Sequence, residues 1–142
     1  MAAIWTRPLS TDLLREVHVG TSPEHLGIEF LEVGDDFIRA RMPVDGRTRQ
    51  PLGILHGGVS VLLAETLGSC GGAFSAPEGH YVVGLDINAN HIRAVKSGWV
   101  SGITRSVHRG RSTQVWQIEI SDEQGRLVCV SRLTLAVLAG SI

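Results

Sequence analysis

Between Leu55 and about Ala73 the chain carries its one long run of helical periodicity, with Val59, Leu62, Leu63, Thr66, Leu67 and Cys70 at helical spacing. Gly57, Gly58, Gly68, Gly71 and Gly72 also fall along it. Each glycine inside a helix costs about 1 kcal/mol relative to alanine, so this many implies that something packs unusually close to the helix. Glu65 is the only charged side chain between Arg49 and Glu78. A helix this apolar and this thin suits a sheet curled around it.

The flanking sequence supplies such a sheet. Gly27 to Val33 and Phe37 to Met42 read as strands joined at Gly34-Asp35-Asp36. Four further strand-like runs follow the helix: Tyr81 to Asn88, Trp99 to His108, Thr113 to Ile120 and Leu127 to Leu138. The short breaks Arg109-Gly110-Arg111 and Asp122-Glu123-Gln124-Gly125 make the last three antiparallel neighbours. Ser10 to His18 reads as a short amphipathic helix, Ser22 to His25 as a turn and Pro43 to Gly53 as a loop. The order ββ-α-ββββ predicts an α+β fold, an antiparallel sheet around one long central helix, with residues 1–142 forming a single domain.

Composition excludes several function classes. A net charge of −1 argues against nucleic acid or an anionic membrane as the main partner. No apolar run reaches membrane-spanning length, and the N-terminus lacks a signal-peptide core. Cys70 and Cys129 sit in apolar surroundings without metal-ligand spacing, which fits free thiols and a cytoplasmic location. The glycine-bearing segments match neither the dinucleotide fingerprint nor the P-loop, and no His/Cys/Asp cluster has zinc spacing.

The chemistry concentrates on the helix. Gly57 and Gly58 leave bare N–H groups at its N-terminus, where the dipole favours negative charge. A carboxylate is costly to bury unless it is paired or used. An anion-stabilising helix end plus the isolated Glu65 is what acyl transfer needs, an oxyanion site and a nucleophile or base. Ser69, four residues on, shares the Glu65 face and can position water. Val61, Gly68 and Gly72 keep that surface small, which leaves room for a flat ring. His56 reads either as a general base or as a brace for the loop, and Gln50 as a donor to a substrate carbonyl or to Glu65. His91 and Arg93, with the turn His108-Arg109-Gly110-Arg111, read either as solvated strand ends or as a cationic rim for phosphates.

Gly57 and Glu65 are eight residues apart, roughly 12 Å along one helix. An oxyanion donor and a nucleophile must lie within about 3 Å of one reacting centre. Two copies of the helix running antiparallel across a two-fold axis satisfy this, so the chemistry predicts a dimer with shared active sites.

The blocks Met42-Pro43-Val44-Asp45, Arg47 to Pro51, Leu55-His56-Gly57-Gly58, Val83 to His91 and Gln114 to Ile118, together with Glu65, resemble the hotdog-fold acyl-CoA thioesterases over nearly the whole chain. The resemblance is to the branch whose helix carries a glutamate, which includes enzymes acting on 4-hydroxybenzoyl-CoA and 1,4-dihydroxy-2-naphthoyl-CoA and the proofreading thioesterase of enterobactin synthesis. It implies hydrolysis of an aromatic or medium-sized apolar acyl-CoA, with CoA entering as part of the substrate and no separate cofactor. By the resemblance, Glu65 is nucleophile or base, the Gly57 N–H is the oxyanion donor, and Gln50 orients the thioester. His56 stands beside the oxyanion glycine and Ser69 holds water. Arg93 contacts CoA with His91 beside it, and the assembly is a dimer of dimers. Two other readings remain at this point: a hotdog dehydratase or hydratase, and a non-catalytic acyl-CoA-binding protein. With one tyrosine and three phenylalanines, no aromatic clamp for an aryl ring stands out.

Overall fold

The long apolar run forms one continuous helix, and a curved sheet closes over one side of it. The computed structural model describes residues 1–142. Its elements are α1 (Thr11–Val17), a single-turn α2 (Ser22–His25), β1 (Glu29–Val33), β2 (Phe37–Pro43), α3 (Gly57–Ser75), β3 (His80–His91), β4 (Trp99–Arg109), β5 (Thr113–Ser121) and β6 (Leu127–Ala139). The turn expected at Ser22 to His25 is thus a short helix, with Pro23 in its first turn, where a missing N–H costs nothing. The sheet is antiparallel throughout, in the order β1-β2-β4-β5-β6-β3. The two short breaks do join β4, β5 and β6 as neighbours. The strand β3 is displaced from its sequence neighbour β4 to the far edge beside β6.

Local chemistry sets the boundaries. The Ser10 side chain caps α1 by accepting from the Leu13 N–H at 3.1 Å. Helix α3 stops at Ala76, which is extended (ψ 151°), because Pro77 follows and disfavours helical geometry in the residue before it. No helix is long and apolar enough to cross a membrane.

The core lies between α3 and the concave side of the sheet. Leu63, Ala64 and Leu67 of α3 meet Val100, Trp116, Ile118, Ile120, Leu133 and Leu135, all essentially without solvent contact. The strand residues alternate in burial, as a half-covered sheet requires. Glycines permit the close approach. A methyl on Gly68 would stand 2.7 Å from Leu133 Cδ2, and one on Gly71 2.6 Å from the Trp116 ring. Trp116 cannot retreat: it stacks on Trp5 at 6.5 Å and donates from Nε1 to Gln114 Oε1 at 2.8 Å.

Candidate active site

Two concavities flank α3, and the residues singled out from sequence divide between them. The first lies at its N-terminal end. Here the loop from Asp45 to His56 is fastened from within. The buried Thr48 hydroxyl donates to Pro43 O at 2.8 Å and accepts from the Asp45 N–H at 3.0 Å. The His56 N–H donates to Thr48 O, and the Leu55 N–H to Val95 O, both at 2.8 Å. A side-chain hydrogen bond from Arg47 holds the Asp45 carboxyl below its ordinary range. The loop therefore delivers His56 to a fixed place as the N-cap of α3.

His56 Nδ1 accepts from the Gly58 N–H at 2.8 Å. That hydrogen bond is the bracing geometry. It occupies one of the two glycine amides and leaves the other, since the Gly57 N–H has no partner within the chain. Gly57 lines a cleft of about 300 Å³ together with Gln50, Ser60, His91 and Arg93. Gln50 Oε1 accepts from the Leu52 N–H, so the amide nitrogen of Gln50 is the end left to donate. His91 lies directly on Gly57: a methyl there would stand 2.8 Å from its Nε2. A side chain at 57 would have to displace the exposed His91 imidazole, so the two positions are coupled.

The second concavity is a groove of about 610 Å³ along the open side of α3. Glu65 and Ser69 line it with Gly58, Val61, Leu62, Thr66, Cys70, Ala73 and Phe74, and the end of α1 contributes Val17 and His18. The Thr66 hydroxyl is tied to Leu62 O at 2.7 Å, whereas Ser69 and the Glu65 carboxylate make no hydrogen bond or ion pair within the chain. Glu65 stands at the seam between this groove and the sheet edge. A methyl on Gly84 of β3 would lie 2.7 Å from its Oε2. The pairing of β3 with β6 is interrupted by a bulge between Gly84 and Asp86 at this point. Burial pushes the Cys70 thiol up to about 12, which keeps it protonated and unreactive.

One expectation is corrected. Gly68 and Gly72 do not floor a pocket beside Glu65. Both glycines face the sheet, so methyl groups there would meet Leu133 on Gly68 and Leu135, Gln114 and Val82 on Gly72. Their smallness serves packing, and only Val61 of the three faces the groove. The space comes instead from the gap between α1 and α3.

The basic residues also separate. His91 and Arg93 sit with Gly57, whereas Gln114, paired with Arg109, packs against Gly72. Gly57 and Gly72 are roughly 22 Å apart along the helix. The turn His108-Arg109-Gly110-Arg111 therefore belongs to the far end within one chain. His18 and Gly84 were missed from sequence. A single histidine after a short helix and a single glycine in a strand carry no local signal, and only the packing of α1 and β3 against α3 places them.

The family model described as the thioesterase superfamily matches residues 52–129. The proofreading thioesterase EntH of Cronobacter turicensis is 52% identical over 95% of this chain and 98% of its own. The 1,4-dihydroxy-2-naphthoyl-CoA hydrolase of Escherichia coli is 50% identical over 95% of this chain and 99% of its own. A crystal structure of a thioesterase from Haemophilus influenzae superposes with a TM-score of 0.93 at 51% identity, covering 96% of this chain and 95% of that one.

Proposed function

Because this chain belongs to the thioesterase superfamily, with the hotdog architecture of one helix wrapped by an antiparallel sheet, we propose that it hydrolyses the thioester bond of an aromatic or medium-sized apolar acyl-CoA. Water adds across the carbonyl–sulfur bond and gives the free acid and CoA thiol. Glu65 attacks the carbonyl carbon or takes the proton of the water that does. The Gly57 N–H, free and at a helix N-terminus, stabilises the oxyanion, and Gln50 orients the thioester. His56 holds the glycine turn rigid, and Ser69 positions water beside Glu65.

The observation that carries this reading is the division of the machinery. Gly57 and Glu65 line different concavities of one chain. Two copies of α3 running antiparallel bring Gly57 of one beside Glu65 of the other. The same pairing moves the C-terminal end of one helix past the N-terminal end of its mate. It carries the His108 to Arg111 turn toward His91 and Arg93, where the five basic side chains and the Gly110 backbone form a rim for the CoA phosphates. The free edge of β3, twelve residues long with Leu85 60% exposed, is a ready surface for such pairing. The assembly is a homodimer with shared sites, doubled in a dimer of dimers, acting in the cytoplasm, where Cys70 and Cys129 stay free.

The groove beside Glu65 suits a ring. Burying roughly 100 Å² of it contributes about 2–3 kcal/mol. A thiol-release assay over aryl, branched and linear acyl-CoAs tests the proposal. Benzoyl- or hydroxynaphthoyl-CoA should exceed acetyl-CoA in kcat/KM by at least about tenfold, or about 1.4 kcal/mol. Absence of CoA release from every thioester contradicts hydrolysis, and parity with acetyl-CoA contradicts the acyl preference.

A further inference from the structure

We infer that His18 recognises the acyl group, accepting at Nε2 a hydrogen bond from a hydroxyl carried on the acyl ring. This rests on the reading of the Glu65 groove as the acyl site. His18 is the C-cap of α1, and its Nδ1 lies 2.7 Å from Leu14 O. A carbonyl oxygen only accepts, so Nδ1 is the donor here, and in the Nδ1–H tautomer Nε2 is the acceptor. Nε2 makes one long contact, to Cys70 Sγ at 3.9 Å, a weak donor at the limit of hydrogen-bond distance. The ring is held by Phe30, at 5.0 Å between centroids, so the acceptor is fixed before any ligand arrives.

Position supplies the rest. His18 and Cys70 line the same groove as Glu65 and Ser69. Cys70 is five residues beyond Glu65, roughly 7.5 Å along the helix, about the reach of an aryl ring whose thioester carbon sits at Glu65. The hydrogen bond to Leu14 accounts for one nitrogen of His18 and leaves Nε2 with only the long Cys70 contact, beside the groove that both residues line. A site with a fixed, under-partnered acceptor favours a ligand that donates there over one that only fills the space.

The test is equilibrium binding of non-hydrolysable thioethers, phenacyl-CoA and its 2-, 3- and 4-hydroxy isomers, by titration calorimetry. The wild-type protein should bind at least one hydroxy isomer roughly tenfold more tightly than phenacyl-CoA, the upper end for one neutral hydrogen bond. His18→Phe should bring that isomer within about twofold of phenacyl-CoA while leaving phenacyl-CoA binding itself within about twofold of wild type. His18→Asn, whose amide can still donate to Leu14 O but cannot reach the Nε2 position, should do the same with the cap of α1 intact. A preference that survives either folded variant, or no preference in the wild type, overturns the inference. Failure of the thioesterase reading shows separately, as absence of CoA release from the matching hydroxybenzoyl and benzoyl thioesters whatever the binding preference.

Discussion

The two sides of α3 are built from similar residue types and do opposite things. On the sheet side, Leu63, Ala64 and Leu67 are fully buried, and glycines 68, 71 and 72 let β5 and β6 approach within contact distance of the helix. On the groove side, the same mixture of small and apolar residues leaves an open trough holding the helix's one carboxylate and an untied serine hydroxyl. Smallness on the first side is spent on packing density, and on the second it leaves space for a ligand. A glycine on a helix is therefore uninformative until the surface it faces is known. A lone carboxylate is informative at once, because only one of the two sides can hold it.

The largest expected effect breaks the comparison across two chains. Glu65→Gln and Gly57→Val should each lose at least about 100-fold in kcat, since one removes the carboxylate and the other drives a side chain into His91 at the oxyanion amide. Mixed dimers of the two should recover turnover far above either parent, because one of their two sites has both intact halves. Verified heterodimers without recovery place the whole site in one chain.

Gly84 sharpens the boundary, being a sheet residue that serves the groove side. Gly84→Ala places a methyl against Glu65 Oε2 and should lower kcat by roughly tenfold through misplacement of the carboxylate. Gly84 is exposed, so the urea midpoint should stay unchanged. A matched loss of stability and activity would assign Gly84 to the packing side instead.

The smallest effect falls on the sheet side, on stability and not on turnover. Gly71→Ala gains up to about 1 kcal/mol of helix propensity but forces a methyl against the rigid, fully buried Trp116 ring. Overpacking of this kind costs about 1–3 kcal/mol, so the net result should be a loss in urea unfolding with kcat per folded molecule preserved. A stabilised Gly71→Ala would mean that Trp116 yields, and that the sheet side is looser than its contacts suggest.

Much of the fold was legible because its signals are local. Strand alternation, the two tight turns of the β4-β5-β6 meander and the cap and stop of α1 and α3 all lie within a few residues of what they specify. The position of β3 at the far edge was not, because it depends on which strand its edge meets, β6, some forty residues on. The orientation of α3 was legible for Glu65 and Ser69 and not for Gly68 and Gly72. The helix is apolar around most of its circumference, so its periodicity does not say how far round the sheet reaches. For the candidate site, the sequence singled out Gln50, His56, Gly57, Glu65, Ser69, His91 and Arg93 by residue chemistry together with the family resemblance, but it could not sort them into two concavities. His18 lay beyond reach altogether, since its meaning comes from a histidine on α1 meeting a groove on α3.

The central claim is that Glu65 belongs to chemistry and not to packing, and Glu65→Ala tests it most directly by kcat and unfolding midpoint measured on the same preparation. The expected result is a loss of kcat of at least about 100-fold, about 2.7 kcal/mol of barrier stabilisation, with KM and the midpoint close to wild type. Turnover above about a tenth of wild type, or a loss of activity that only tracks a loss of folded protein, contradicts it.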